Sequence, residues 1–259
     1  MRIALAGTRG IPASYRQARY YAYWLLEPFD AIFRMINRLD KYPPIPLRRH
    51  VGCFGSFDGP GFEFVEYLKL LLGLKSEHRV WDIACGCGLL ELALESAGWR
   101  GQLVGVDIHK PCITWARRSI SKRIPSFQFV HANIYNEDYW PYGHLSTKEW
   151  FSIFGASDFD IAILKSLFTH MLPEELSVYL QQISARLSPG GKAILTFFIL
   201  NEEQERLEQK NSIRFIAPSP DSVYAVKQLL VPTAAVAYTE AYLVEELVLQ
   251  RKVATGQAE

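Results

Sequence analysis

The chain has 259 residues, 49% of them apolar, and carries 28 Lys and Arg against 27 Asp and Glu. That length suits one α/β domain with appendages, and a formal net charge of +1 supplies no global field to recruit nucleic acid, so the expected partner is a small molecule. No apolar run approaches the roughly 18 residues of a transmembrane span and no signal-peptide pattern opens the chain, while Cys53, Cys85, Cys87 and Cys112 are too few for a secreted disulfide framework. The expectation is a cytoplasmic protein with reduced thiols.

In chain order, "MRIALAGTRGIP" reads as an apolar strand running into a glycine loop. "RYYAYWLLEPFDAIFRMINRL" is aromatic and basic, and "KYPPIPLRRHVGCFGSF" is rich in Pro, Gly and Arg, so residues 1–60 form an N-terminal cap and arm ahead of a domain over 61–259. A helix packed on that domain is expected; the competing reading is an interfacial membrane helix, with apolar rings beside Arg16, Arg19, Arg34 and Arg38.

From Arg79 onward "RVWDIA", "QLVGVD", "FQFVHA", "DFDIAIL" and "KAILTFFIL" alternate with amphipathic stretches, which predicts a mostly parallel sheet with crossover helices. Pro173 opens a helix whose Glu174 and Glu175 complement its N-terminal dipole; Leu176, Leu180, Ile183 and Leu187 recur at helical spacing, and "SPGG" stops it. Glu202 to Lys210 and "TEAYLVEELVLQRK" predict two further helices.

The second glycine loop follows Asp82. In "ACGCG", Gly86 and Gly88 allow a sharp turn and close approach to a ligand, and a helix begins at once with its free N–H groups. The next strand ends at Asp107, which places a carboxylate where ribose hydroxyls would lie. The layout binds a nucleoside, but Glu91 stands where a dinucleotide fingerprint needs a small residue, which argues against NAD. Cys85-x-Cys87 lacks zinc-knuckle spacing, so no metal is expected.

"VWDIACGCG" resembles motif I of the class I S-adenosylmethionine-dependent methyltransferases, with Ala84 in place of its first glycine. The likeness continues through "QLVGVDIHKPCITWARRSI", "FQFVHANIY" and "FDIAILKSLFTHMLPEELSVYLQQISARLSPGGKAILTFFIL". It implies a Rossmann-like fold with helices on both faces, and S-adenosylmethionine held by Asp82, Ala84, Cys85, Gly86, Gly88, Asp107, Ile108, Asn133, Ile134 and Lys165. Within that frame Asp107 would hold the ribose, Ile108 would pack on adenine, and Asn133 stands where the family often has an adenine-binding Asp.

His170, in "SLFTHM" after the fourth strand, lies at the sheet edge where ligands bind in open α/β folds, and a near-neutral imidazole suits the base an alcohol acceptor needs. The resemblance implies the same, since some small-molecule and sugar O-methyltransferases carry a His base in this loop. The alternative is a histidine that caps the next helix or packs on the cofactor. The expected activity is methyl transfer to a small hydroxylated acceptor; the other reading is a catalytically weak, methyltransferase-like binding or regulatory subunit.

The family's last antiparallel strand pair follows a final helix, and here the chain ends ten residues after Leu249, so the sheet is expected to lack that pair. Either "MRIALAG" or a second subunit would then cover the exposed edge. The first 15 residues also resemble the opening of family-4 glycosyltransferases.

Overall fold

The computed structural model describes residues 13–51, 59–137, 139–208 and 214–255. The opening strand and glycine loop, with their glycosyltransferase likeness, and Cys53 lie outside the described residues. Three helices come first: α1 (Ala13–Ile36), α2 (Ile45–His50) and α3 (Gly59–Leu72). The domain proper runs β1 (Arg79–Ile83), α4 (Leu89–Ser96), β2 (Gln102–Asp107), α5 (Lys110–Ala116), β3 (Phe127–His131), α6 (Thr147–Ile153), β4 (Phe159–Leu164), α7 (Pro173–Arg186) and β5 (Leu187–Leu195). After it come β6 (Phe198–Leu200), α8 (Glu202–Glu208), β7 (Tyr224–Val226), β8 (Val236–Thr239) and α9 (Glu240–Thr255).

β1 to β5 form one parallel sheet in the order β3-β2-β1-β4-β5. Its central strands are apolar almost throughout, because helices cover both faces. On one face α3, α4 and α5 contribute Phe64, Leu68, Leu94 and Ile113 to a core over Val80, Leu103 and Ile161. On the other, Trp81 stacks between Phe159 and Phe154, centroids 5.0 and 5.4 Å away, in a core completed by α6, α7 and the C-terminal strands.

Two details depart from the sequence reading. The helix of Pro173 ends at Arg186, and Ser188–Gly191 lie within β5, absorbed by a register shift opposite Phe159 and Ile161. "KAILTFFIL" breaks at Thr196 and Phe197 into two strands. The main sheet has five strands and lacks the family's last antiparallel pair, as expected; the antiparallel β7 and β8 lie ahead of the last helix in a separate sheet of order β6-β8-β7. This sheet packs on the main core through Val226, Val236 and Tyr238, whose hydroxyl donates to Met171 O at 2.6 Å.

α1 presents an unusual face. Its Arg34 is buried and pairs with Glu27 and Asp30, Asp30 also takes Arg48 of α2, and Arg34 donates to Tyr42 O at 3.0 Å. The charged side of the helix faces the protein.

Candidate functional site

A cavity of about 380 Å³ opens at the C-terminal edge of the parallel sheet, the place where open α/β sheets bind ligands. Its floor is Ile83, Ala84 and Gly86 after β1, with Asp107 and Ile108 after β2; Ile134 lies beyond β3, and Lys165 and His170 follow β4. One wall is Thr147 and Trp150 of α6 with Glu175 and Tyr179 of α7.

The floor is shaped by backbone geometry. Ala84 has φ +64 and Gly86 φ +59, so two left-handed residues bend the chain out of β1. A Cβ at Gly86 would lie 2.5 Å from Val51 Cγ1, so this glycine lets the residue after α2 close over the loop. Gly88 does a different job: at φ +82 it precedes α4, and a Cβ there would meet Ile120 Cδ1 at 2.4 Å. It serves packing below the cavity.

Asp107 joins the two loops. Its Oδ2 accepts from Gly86 N at 2.8 Å and its Oδ1 from His109 N at 2.7 Å. Burial raises its pKa above the ordinary carboxylate value, and these backbone donors partly oppose that. Each oxygen keeps lone-pair capacity for a hydroxyl.

Beneath the loop, Asp82 and Glu91 form a buried acidic pair. Burial moves Asp82 up to about 7, opposed by Lys165, and moves Glu91 well above its usual range, with the Asp82 charge adding to the effect. Glu91 is wholly buried at the position where the sequence reading found a long acid unsuited to close packing. Gly105 of β2 makes the room: a Cβ there would sit 2.9 Å from Glu91 Oε1. Burial also raises the thiols of Cys85 and Cys112, which keeps both protonated and unreactive at neutral pH.

At the other end of the cavity, His170 ends a short turn over Phe168–His170. Its Nδ1 lies 3.2 Å from Thr233 O. A carbonyl only accepts, so Nδ1 carries the proton and Nε2 is the basic nitrogen. The Tyr139 ring lies 6.1 Å from the imidazole, and Thr147 Oγ1 donates to Glu175 Oε1 at 3.3 Å.

The structure thus gathers Ala84, Gly86, Asp107, Ile108, Ile134, Lys165 and His170 around one space. Asp82, Cys85, Gly88 and Asn133 are outside its lining. Asn133 Oδ1 accepts from Trp140 Nε1 at 3.2 Å, and Cys85 Sγ lies 3.8 Å from Gly86 O. Lys165 also reaches α3, donating to Pro60 O at 3.1 Å with Nζ 4.9 Å from the Phe64 ring centroid.

Sequence reasoning missed Thr147, Trp150 and Tyr179, and saw in Glu175 a helix-dipole residue only. The signal for the first two was legible: Ser146 and Glu149 make a reciprocal capping box that starts α6.

A parallel sheet in this order, with a glycine loop after β1 and an acid ending β2, is the arrangement of a Rossmann-like fold. Residues 80–191 match the family model described as "Methyltransferase domain". This segment, less than half of the chain, carries the likeness to methyltransferases that the sequence motifs implied.

Among solved structures, the chain is similar to a Pyrococcus horikoshii OT3 protein at 21% identity, over 76% of this chain and 84% of that one, with a TM-score of 0.49. It is also similar to a SAM-dependent methyltransferase from Archaeoglobus fulgidus at 16% identity, over 76% and 69% of the two chains, with a TM-score of 0.47.

Proposed function

We propose that the cavity binds S-adenosylmethionine and that the protein transfers its methyl group to a hydroxyl of a small acceptor, with His170 as general base. The carrying observation is that one cavity joins the Asp107 carboxylate and the Gly86 loop to the His170 imidazole.

The lining fits the cofactor. Asp107 retains acceptor capacity for ribose hydroxyls, while Ile108 and Ile134 offer apolar surface to the flat adenine. Asp82, Cys85, Gly88 and Asn133 would act from behind that surface, holding the loops that form it. When bound, S-adenosylmethionine supplies an electrophilic methyl group whose leaving sulfur takes the bonding electron pair.

The protein's share is alignment, exclusion of water and one proton transfer. As the acceptor oxygen bonds to carbon, its proton passes to His170 Nε2, and the Thr233 carbonyl that holds Nδ1–H stabilises the imidazolium. Trp150, Met171 and Tyr179 give the acceptor end an apolar wall.

The test is calorimetry with S-adenosylmethionine and its demethylated product, with a UDP-sugar and NAD as controls, followed by a screen of hydroxylated acceptors with labelled methyl donor. Binding of the first pair and label on an acceptor oxygen are expected. Binding without transfer to any acceptor would favour the regulatory-subunit reading, and silence toward the first pair would reject the site.

A further inference from the structure

We infer that α1 is a membrane-surface anchor whose outward face inserts into the interface of a bilayer carrying anionic headgroups. Its orientation carries the inference. A helix packed on a soluble domain turns an apolar stripe of roughly 100° inward and its charges outward. Here the order is reversed.

Between residues 22 and 36 every exposed position is apolar. Leu25, Phe29, Ile32, Phe33, Met35 and Ile36 are all more than half exposed, Leu25 reaching 77% and Phe29 72%. The charged residues in that stretch, Glu27, Asp30 and Arg34, are turned to the protein and paired with one another or with Arg48 of α2. Their ion pairs fix which side of the helix faces out.

The width of the apolar face selects its occupant. At 3.6 residues per turn, the exposed positions sweep roughly 220° of the circumference. One helix of a second copy covers a stripe of roughly 100° and would leave the remainder in water. Lipid conforms to the whole arc.

Charge points the same way. Residues 13–49 hold seven Lys and Arg against three Asp and Glu, although the chain as a whole is at +1. Glu27 and Asp30 are spent on Arg34 and Arg48; just past the helix Arg38 stands exposed, followed by Asp40 and by Lys41, which pairs with Glu95 at 3.6 Å. A wide apolar face beside basic residues is the composition of an interfacial helix attracted to anionic lipid. No helix among the described residues is long and apolar enough to cross a membrane, so α1 would lie in the surface.

The inference does not rest on methyl transfer. Its test is flotation of the full chain with phosphatidylglycerol–phosphatidylcholine vesicles and with phosphatidylcholine vesicles alone, beside light scattering of the protein in solution. Preferential binding to the anionic vesicles is expected. The triple variant Leu25→Ser, Phe29→Ser, Ile32→Ser should lower the partition coefficient by more than about tenfold, with cofactor affinity and thermal unfolding unchanged as controls for folding.

Absence of flotation overturns the inference. Equal binding to both vesicle types overturns its anionic component, and a stable dimer split by the same substitutions would assign the face to a second copy instead.

Discussion

The backbone N–H of Gly86 donates to Asp107 Oδ2 at 2.8 Å, so the turn after β1 and the last residue of β2 are held as one unit. The same carboxylate is therefore both a brace for the loop and the acid that faces the cavity. Replacing Asp107 with Ala removes a charge-assisted acceptor worth about 1.5–3 kcal/mol, so the S-adenosylmethionine dissociation constant should rise roughly ten- to hundredfold. Asp107→Asn keeps one acceptor oxygen and should fall between. Calorimetry on the two variants decides it, and wild-type affinity in the Ala variant rejects the assignment.

His170 separates binding from chemistry. With Nδ1–H given to Thr233 O, removal of the imidazole takes away proton acceptance and leaves the Asp107 end intact. His170→Asn should lower kcat by roughly 10²–10⁴-fold with cofactor affinity unchanged. Undiminished turnover would leave His170 as a structural residue.

Ala84 occupies a left-handed conformation at φ +64, where its Cβ crowds the following carbonyl. Ala84→Gly relieves that strain and is expected to stabilise the fold by about 1 kcal/mol. Urea unfolding reads the change as a raised midpoint at constant slope. A lower midpoint would mean that the alanine methyl contributes more by packing than it costs in backbone strain.

The buried acids make stability depend on pH in a definite direction. Asp82 is raised from 3.8 to about 7 and Glu91 is raised well above 4.5, so the folded state holds protons that the unfolded chain releases. Their favourable contribution is complete below the unfolded values and is lost as pH rises through the folded ones. Wild-type stability should therefore fall between pH 5 and pH 8. Glu91→Gln, neutral at every pH, should flatten that fall, and an unchanged slope in denaturant titrations at the two pH values would show that Glu91 carries no part of it.

The architecture was readable where local pattern and burial agree. β1 to β4 fall within a residue of the apolar runs quoted from the sequence, because central parallel strands are buried on both faces and tolerate few polar side chains. α7 likewise begins at Pro173, where a proline's fixed φ suits the first helical position. α6 was missed because its length of 7 residues leaves little periodicity to detect, although its capping box was present. The pairing of the second sheet is hard to read for a related reason: β6 and β7 have three residues each and gain their partners from β8, distant in sequence.

By itself, the sequence determined the parallel α/β class, the glycine loop after Asp82 and the acid at Asp107, since strand periodicity, loop chemistry and helix caps are local properties. The tertiary structure decided which of the candidate residues share a cavity, bringing Thr147, Glu175 and Tyr179 to it and leaving Asp82, Gly88 and Asn133 behind its surface. It also decided that Glu91 is buried against Gly105 and that α1 faces outward with its apolar side. Those outcomes depend on the space left by residues far apart in the chain and on which charges find partners, and neither is a property of a local pattern.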